Sequence, residues 1–399
     1  MKNVNLPKTI GKVFFTVGDK EYWCSGSSIQ SKYHNLVATA GHCVFDEGVQ
    51  NGALDNWVFI PGYYQGKAPW GIYVGKAAYT HYDFAVYEDY DSDYAFVTVY
   101  NGIAYTGAEE VSKAKWDAWG GEKKLDRERV SEKTYQEWLG KGGVGEVIPG
   151  SKTETVGPDF PGAVFAPAEV NKQTYDAAAD LTVKKPGAKA FTKVEHVTQS
   201  EYDGYEGLGT KSTDDNGNYL ITHFFVKSWV KPGAEAQFYI FHYVIFYVKD
   251  AGRLGDNVGG QGFTWNQKVG QPVYIFGYPA AAHPDGDTPY TGVTPKWCYG
   301  KTFAAAAAAK FKAEAQIGLK CSMTAGSSGG PWILKYSSTK RLGYINGVTS
   351  LIGDADGNGR IDFSTSPYFD TETYAIYKSA ANLWSGSIVT KDGGTTTKA

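Results

Sequence analysis

Net charge and long hydrophobic runs are both nearly absent from this sequence. The 42 acidic and 39 basic side chains leave a formal net charge of −3 at pH 7, too little to favour nucleic acid or an anionic membrane surface as a partner. No run of about 18 apolar residues occurs, so a transmembrane helix is excluded. The first residues, MKNVNLPKTIGKVFF, lack the basic region and apolar stretch of a secretory signal. We therefore expect a mature chain with an added Met.

Cysteine and methionine are scarce, with 4 Cys and 2 Met. Cys24 and Cys43 lie close together in the sequence, as do Cys298 and Cys321. Each pair would close a loop of a length that suits a disulfide, although four cysteines allow three different pairings. Two disulfides would indicate an oxidising compartment. We therefore expect a secreted, extracellular protein.

Aromatic residues and glycine are abundant, with 29 Tyr, 20 Phe, 11 Trp and 49 Gly. Short segments rich in aromatic and β-branched residues, such as KVFFTV and YAFVTVY, are separated by Gly, Pro, Asn and Asp. This pattern is typical of antiparallel β barrels and sandwiches. The length of 399 residues predicts two or three compact units.

The pattern changes near residue 102 and returns after residue 252. Residues 109–140 are charged and partly helix-periodic, and residues 141–216 are rich in Gly, Pro, Thr and Lys. Two long strand patterns, NYLITHFFVKSWV and AQFYIFHYVIFYV, follow around a Pro-Gly turn and predict a hairpin. No internal repeat is evident. We predict the following units: an N-terminal β-barrel (1–101), an inserted α+β domain of unknown role (102–252), a C-terminal β-barrel (253–385) and a polar tail (386–399).

Three short segments carry the residue types that serine-dependent acyl transfer needs. VATAGHC (37–43) ends a hydrophobic strand with a His, DSDYAFVTV (91–99) places an Asp before a strand, and TAGSSGGP (324–331) offers a serine between glycines. A serine nucleophile requires a base for its proton, a carboxylate that orients the base, and N–H donors for the oxyanion. The sequence therefore points to a His, Asp and Ser constellation.

His42 in AGHC, Asp93 before YAFV and Ser328 in GSSGGP resemble the signature regions of chymotrypsin-fold serine peptidases, in the same chain order. GKVFF…YWCSGSSI and VGGQGFTWNQKVGQPVYIFGYPA further resemble a secreted bacterial and fungal branch that includes the staphylococcal glutamyl endopeptidase. The resemblance covers residues 10–101 and 253–380, and not the insert. It implies an all-β fold of two six-stranded antiparallel β-barrels with the catalytic groups in the cleft between them.

The resemblance also implies roles for single residues. Ser328, directly before Gly-Gly-Pro, would be the nucleophile, with His42 as base and Asp93 as its partner. The backbone N–H groups of Gly326 and Ser328 would form the oxyanion hole. Ser327 stands where trypsin-like enzymes have an Asp that binds a newly cut N-terminus. Because a serine offers no such charge, we expect an oxyanion hole that is preformed or held by other contacts.

The primary specificity pocket is expected in two segments, Ser322, Met323 and Thr324 before the nucleophile and Thr349, Ser350 and Leu351 on a later strand. Glutamyl-specific relatives place a His where this chain has Thr349. Ser322 brings no charge for a Lys or Arg side chain of a substrate. The sequence therefore predicts an uncharged or narrow preference.

Several alternatives stay open in the sequence. Asp83, Asp89 and Asp91 are rivals for the triad acid, but only Asp93 abuts the apolar strand. DADGNGRIDFST (354–365) has oxygen ligands spaced as in a calcium loop, yet it lacks the final Glu and a flanking helix, so the sequence favours a polar hairpin turn over a calcium site. We expect a monomeric enzyme that acts on protein or peptide substrates with no cofactor and no metal. The alternative is a catalytically silent peptidase-like scaffold that binds or adheres through its insert.

Overall fold

A computed structural model describes residues 4–46, 52–180, 185–305 and 311–396. The chain divides into two compact units: the larger comprises Met1–Lys124 and Tyr243–Ala399, and the smaller Leu125–His242. Strands far outnumber helices, so the prediction of a mainly β protein is confirmed. The domain boundaries predicted at residues 102 and 252 stay predictions.

The first strands of the larger unit form a closed antiparallel barrel. They are β1 (Ile10–Val17), β2 (Lys20–Ile29), β3 (Leu36–Thr39), β4 (Asp55–Pro61), β5 (Tyr73–Thr80) and β6 (Ala95–Val99). Their order around the barrel is β1-β2-β3-β6-β5-β4. Val13, Val37, Phe59 and Val97 belong to its buried interior, where removal of apolar area from water stabilises the closed sheet. The short helix α1 (Tyr82–Tyr87) follows β5.

The described residues of 102–180 and 185–252 alternate short helices with strands. The strands are β7 (Gly102–Glu110), β8 (Lys123–Val130), β9 (Gly145–Ile148), β10 (Glu154–Val156), β11 (Val164–Phe165), β12 (Ala168–Val170), β13 (Lys189–Val197), β14 (Thr210–Thr213), β15 (Tyr219–Val226), β16 (Trp229–Lys231) and β17 (Gln237–Gly252). The helices are α2 (Lys113–Ala118), α3 (Glu132–Gly140), α4 (Lys172–Ala177) and α5 (Gln199–Gly204). In the smaller unit, β15 pairs with β12, β13 and β14. The strand patterns predicted in this region thus correspond to β15 and β17.

The C-terminal part of the larger unit contains two open sheets. Its elements are α6 (Leu254–Val258), β18 (Gly262–Phe263), β19 (Pro272–Gly277), β20 (Lys296–Lys301), β21 (Phe303–Ala305), β22 (Gln316–Lys320), β23 (Pro331–Ser337), β24 (Leu342–Val348), β25 (Ile352–Gly353), β26 (Phe363–Pro367) and α7 (Thr371–Ala381). The sheet orders are β18-β24-β23-β19-β20 and β21-β22-β26-β25. One closed barrel and further sheets agree with the predicted fold class, while a second six-stranded barrel stays a prediction.

Two disulfides link Cys24 to Cys43 and Cys298 to Cys321. This is the pairing that the short sequence separations favoured, out of the three that four cysteines allow. The first bond ties β2 to the turn that follows β3, and the second ties β20 to the segment after β22. Both therefore fix segments that carry predicted site residues.

The described part of the C-terminal tail, residues 386–396, packs against other segments of the larger unit. Ile388 is 2% exposed and lies in one cluster with Val74, Ile103 and Val248. The Val248 N–H donates to the Gly393 carbonyl at 2.8 Å. The tail is therefore anchored by an apolar side chain as well as by its backbone.

Among the helices of the described residues, none combines the length and apolarity needed to cross a bilayer.

Candidate active site

His42 and Asp93 lie at the same end of two neighbouring barrel strands. β3 pairs with β6 as far as Thr39 and Ala95; beyond this point, β3 continues into the turn that carries His42, and Asp93 lies just before β6. The Asp93 carboxylate accepts from the His42 backbone N–H and from ring Nδ1, both at 2.8 Å. Asp93 is 0% exposed, so these donors compensate a fully buried charge.

The hydrogen bond to Asp93 fixes the state of the His42 ring. A carboxylate only accepts, so Nδ1 carries the proton and Nε2 is the basic nitrogen. Burial of the ring disfavours its charged form, but the charge of Asp93 and the hydrogen bond to it outweigh burial and raise the pKa of His42 above 6.5. His42 therefore has the tautomer and the basicity that a general base requires.

Ser350 supplies another hydrogen bond to the same carboxylate. Its Oγ donates to Asp93 Oδ2 at 2.5 Å, and the residue is 5% exposed. The sequence resemblance assigned Ser350 to the specificity pocket, and this role stays a prediction; its contact with Asp93 was missed. The contact orients the carboxylate that orients His42, so Ser350 is a positioning residue.

The segment that carries Ser328 lies against β2. The Ser25 N–H donates to the Ser328 carbonyl at 2.7 Å, and the Ser25 hydroxyl donates to the Gly326 carbonyl at 2.9 Å. The Thr39 hydroxyl in turn donates to the Ser25 carbonyl at 2.9 Å. Because Thr39 ends the strand that leads to His42, these bonds attach the serine segment to the strands that position the histidine.

Gly329 makes the close approach between these segments possible. Its φ is +76°, in the region that favours glycine. A Cβ at this position would lie 2.1 Å from Thr39 Oγ1 and 2.4 Å from the Ser25 carbonyl oxygen. The Gly329 N–H donates to the Thr349 carbonyl at 2.7 Å. The glycine after Ser328 is therefore required by space as well as by backbone conformation.

The turn before Ser328 is held by its own hydrogen bonds. The Ser327 hydroxyl donates to the Thr324 carbonyl at 2.7 Å, and Ser327 is 1% exposed. Within the described part of the chain, the backbone N–H groups of Gly326 and Ser328 donate to no protein acceptor. Both predicted oxyanion donors are thus available in a turn that uses no charged partner at Ser327.

The predicted pocket residues differ in exposure. Met323, Thr324 and Thr349 are buried, at 1%, 0% and 0%, whereas Ser322 is exposed and Leu351 half-buried. The Thr349 hydroxyl accepts from Trp332 Nε1 at 3.1 Å. The structure therefore leaves only part of the predicted set accessible to a substrate.

A cavity of about 330 Å³ includes two of these pocket residues. Its lining residues are Val4, Leu6, Tyr290, Pro295, Lys296, Trp297, Cys298, Ser322 and Met323. The Ser322 hydroxyl lies 2.9 Å from the Tyr290 hydroxyl. Lys296 is the one charged side chain among these described lining residues. The other lining residues are apolar or neutral, and the uncharged substrate preference stays a prediction.

Tyr90 packs beside His42, and the adjacent Asp91 binds a distant segment of the chain; sequence reasoning missed both contacts. The Tyr90 ring stacks on His42 with centroids 6.2 Å apart, and burial, together with the charge of Asp93, raises the pKa of Tyr90 to about 12. Phe311 packs edge-on against Tyr90 at 5.3 Å. Asp91 accepts from the backbone N–H of Glu314 at 2.9 Å and of the following residue at 3.0 Å. Asp91, a rival for the triad acid, therefore fixes the segment that carries Phe311.

Replacement of Asp91 by Ala is expected to release residues 311–316. The variant removes the carboxylate acceptor of two exposed backbone N–H groups, and we expect it to cost about 0.5–1.5 kcal/mol of unfolding free energy. Hydrogen exchange should show reduced protection over 311–316, while the barrel amides keep theirs. Asp91→Asn is the matched control because its amide oxygen still accepts. Unchanged hydrogen exchange over 311–316 in Asp91→Ala would contradict the conclusion that Asp91 fixes this segment.

The acidic loop at residues 354–362 connects two paired strands. β25 and β26 pair antiparallel, with Gly353 opposite Phe363, so the loop is a hairpin connection. Carboxylate oxygens of Asp354, Asp356 and Asp362 lie within 4.8 Å of one another. Asp354 accepts from the Gly359 N–H at 2.8 Å. The acids thus hold the loop backbone, as a polar turn requires.

No protein-family model and no curated protein sequence matches this chain. Among solved structures, protease Anisep from Arthrobacter nicotinovorans aligns with a TM-score of 0.49 at 21% identity, over 94% of this chain and 97% of the other. A thermostable serine protease AL20 from an extremophilic microorganism gives 0.49 at 19% identity, over 94% and 97%. A Glu endopeptidase gives 0.42 at 11% identity, over 96% and 94%. These three structures are of a protease, a serine protease and an endopeptidase, and each aligns with a TM-score below 0.5.

Proposed function

We propose that this protein is a secreted serine endopeptidase that hydrolyses peptide bonds through His42, Asp93 and Ser328. The observation that carries the proposal is the buried hydrogen-bonded pair of His42 and Asp93, with the Ser328 turn attached to the same barrel strands. A binding scaffold does not require a buried carboxylate that accepts from one ring nitrogen of a histidine and leaves the other nitrogen basic. The two disulfides support secretion.

The proposed reaction begins with proton transfer from the Ser328 hydroxyl to His42 Nε2 as the serine oxygen attacks the peptide carbonyl. Asp93 stabilises the imidazolium that forms. The backbone N–H groups of Gly326 and Ser328 donate to the oxyanion. His42 then gives its proton to the leaving amine, and water repeats the sequence on the acyl-enzyme.

The substrate preference proposed is for an uncharged side chain. Ser322 and Met323 line the cavity beside the serine segment without offering a charge, and Lys296 is its one charged lining residue. Digestion of a peptide library followed by sequencing of the cut sites tests this. Cleavage predominantly after acidic residues would contradict the preference and assign Lys296 to the pocket.

A fluorophosphonate probe tests the enzymatic proposal directly. The probe reacts only with an activated serine, so an enzyme is labelled at Ser328 and a silent scaffold is not. Peptide mapping of the labelled protein identifies the serine. Absence of label in the folded protein would favour the alternative, in which the chain binds or adheres through residues 102–252.

The pH dependence of activity is expected to follow His42. Only the neutral ring accepts a proton, so kcat/KM falls as acidification protonates it. Because the pKa of His42 is raised above 6.5, the midpoint of the acid limb should lie above that value. A kcat/KM profile between pH 5 and 9, with far-UV circular dichroism to follow the fold, measures it. A midpoint at or below 6.5 would contradict the electrostatic effect of Asp93.

A further inference from the structure

The four helices that the structure describes between residues 102 and 252 follow one sequence pattern. The segments read VSKAKWDAW, VSEKTYQEW, VNKQTYDAA and VTQSEYDGY. In each, Val precedes a Ser, Asn or Thr that caps the helix by accepting a backbone N–H three residues later, and an aromatic residue follows on the helix. The expectation that the chain holds no internal repeat is therefore wrong for this region.

The helix aromatics contact the two long strands, β15 and β17, in the same register. One pair packs on β15 and the other on β17. The contacts are Tyr175 with Phe224 at 5.4 Å, Tyr202 with Tyr219 at 4.9 Å, Trp116 with Tyr243 at 5.5 Å and Tyr135 with Phe238 at 5.4 Å. The sequence separation between Phe224 on β15 and Tyr243 on β17 equals the separation between Tyr219 and Phe238. This separation is the constant offset between equivalent positions of the two strands. The two strands thus receive their helices at equivalent positions.

Each of the two long strands carries a histidine that contacts an aromatic residue, and the two histidines are separated by the same constant offset. His223 on β15 lies beside the ring of Tyr205 at 5.8 Å, and His242 on β17 lies beside Trp138 at 5.2 Å. Nε2 of His223 is 3.5 Å from Glu195, and a glutamate at the equivalent position, Glu128, is 3.3 Å from Nε2 of His242. Each glutamate stands two residues before the Val of its helix segment.

Strand pairing follows the same correspondence. Glu169 on β12 pairs with Phe225 on β15, and Glu110 on β7 pairs with Val244 on β17. Both glutamates directly precede the Val of a helix segment. Phe225 and Val244 again differ by the constant offset. Equal register in strand pairs is independent of the helix contacts.

One aromatic contact is present on β17 and has both of its partners changed at the equivalent positions of β15. Trp119 packs against Tyr247 at 5.2 Å. The positions that correspond to this pair hold Ala178 and Ser228. Both large side chains are thus replaced by small ones together, which is the change expected when two copies of one contact diverge.

We propose that residues 102–148 with 237–252, and residues 168–226, are two copies of one module that arose by duplication. Each copy has the order strand, helix, strand, helix, strand and long strand. Helix capping alone explains the Ser, Asn or Thr at each helix start. It does not explain equal offsets in ring contacts, histidine contacts and strand register. The inference does not depend on the proposed function.

The second copy occupies a hairpin turn of the first. In the second copy, Thr213 pairs with Tyr219, so a short turn joins β14 to β15. In the first copy, Ile148 pairs with Gln237, and residues 149–236 form the equivalent connection. The Ser151 N–H donates to the Ala234 carbonyl at 2.9 Å. The chain therefore leaves and re-enters the first copy at adjacent backbone positions, as a nested module requires.

Hydrogen exchange of full-length variants tests the duplication. In Tyr202→Ala we expect exchange to accelerate about tenfold or more over residues 168–226 and to stay unchanged over 102–148 and 237–252. Its matched variant at the equivalent position, Tyr135→Ala, should give the reverse. Loss of protection over all of 102–252 in both variants would overturn the proposal of two modules.

A turn graft tests the nesting. Residues 149–236 are replaced by Asp-Asn-Gly, the tip of the turn in the second copy, so that Ile148 and Gln237 stay paired. The matched control also deletes Gln237, which shifts the register by one residue and turns inward side chains outward. Protected amides over 102–148 and 238–252 in the graft, and their loss in the control, support nesting. Equal protection in the two variants, or none in either, would overturn it.

Discussion

Replacement of Ser328 by Ala is expected to abolish hydrolysis and fluorophosphonate labelling together. The change removes the hydroxyl that attacks the carbonyl, and loss of a triad nucleophile typically lowers kcat about a millionfold. The Ser328 backbone keeps its bond to Ser25, and its N–H stays available for an oxyanion. Substrate binding and thermal stability should therefore change little. Activity with a peptide substrate, label incorporation and the melting temperature are the measurements.

Ser327→Ala is the matched control for this prediction. The two serines are neighbours, but the Ser327 hydroxyl is buried and donates to the Thr324 carbonyl at 2.7 Å. Its loss should lower stability by about 1 kcal/mol and leave the label on Ser328. If Ser327→Ala lost the label and Ser328→Ala kept it, the nucleophile would be Ser327 and the assignment to Ser328 would be wrong. Label in both variants would place the reactive serine elsewhere.

The sequence predicted best those parts of the site that depend on short motifs at strand ends. His42 and Asp93 each adjoin an apolar strand, and antiparallel pairing of those strands brings such residues to one end of a barrel. The glycines around Ser328 indicated a close backbone approach, and the structure provides one at Gly329, where a Cβ would lie 2.1 Å from Thr39 Oγ1. In these cases a short local motif was sufficient to predict a tertiary contact.

Contacts between distant segments could not be predicted. Ser350 is separated from Asp93 by 257 positions, and Asp91 is separated from Glu314 by 223. A hydroxyl after a buried strand, or an Asp in a turn, is common and has many structural uses. Only the packing of one sheet on another selects these partners. Sequence reasoning therefore identified the proposed reactive groups and missed the residues that hold them in place.

The duplication was missed for a related reason. The segments share few identical residues, since Ser, Asn and Thr are interchangeable as caps and Trp and Tyr as packing aromatics. The correspondence becomes visible when strand register and ring contacts are compared, as for Tyr202 on Tyr219 and Tyr135 on Phe238. Physical role is preserved more strictly than residue identity in this region.

Replacement of Asp93 by Asn is expected to lower kcat about ten-thousandfold with little change in KM, the size typical of an amide in place of the triad carboxylate. The amide N–H₂ would donate to His42 Nδ1, so the proton would move to Nε2, the nitrogen that must accept from Ser328. Removal of the charge also leaves burial as the main influence on the ring, so its pKa should fall and the acid limb move to lower pH.

Ser350→Ala is the matched control, because it removes one donor to Asp93 and keeps the charge. Loss of a partner that orients a functional group typically costs 10- to 100-fold in activity, so kcat should fall by about that factor, with the acid limb still above 6.5. The measurements are kcat, KM and the kcat/KM profile of both variants. Near-normal activity in Asp93→Asn would mean that the carboxylate only stabilises the fold. If kcat fell equally in both variants and the acid limb of the kcat/KM profile did not shift in either, the geometry of the Asp93 side chain would matter and its charge would not.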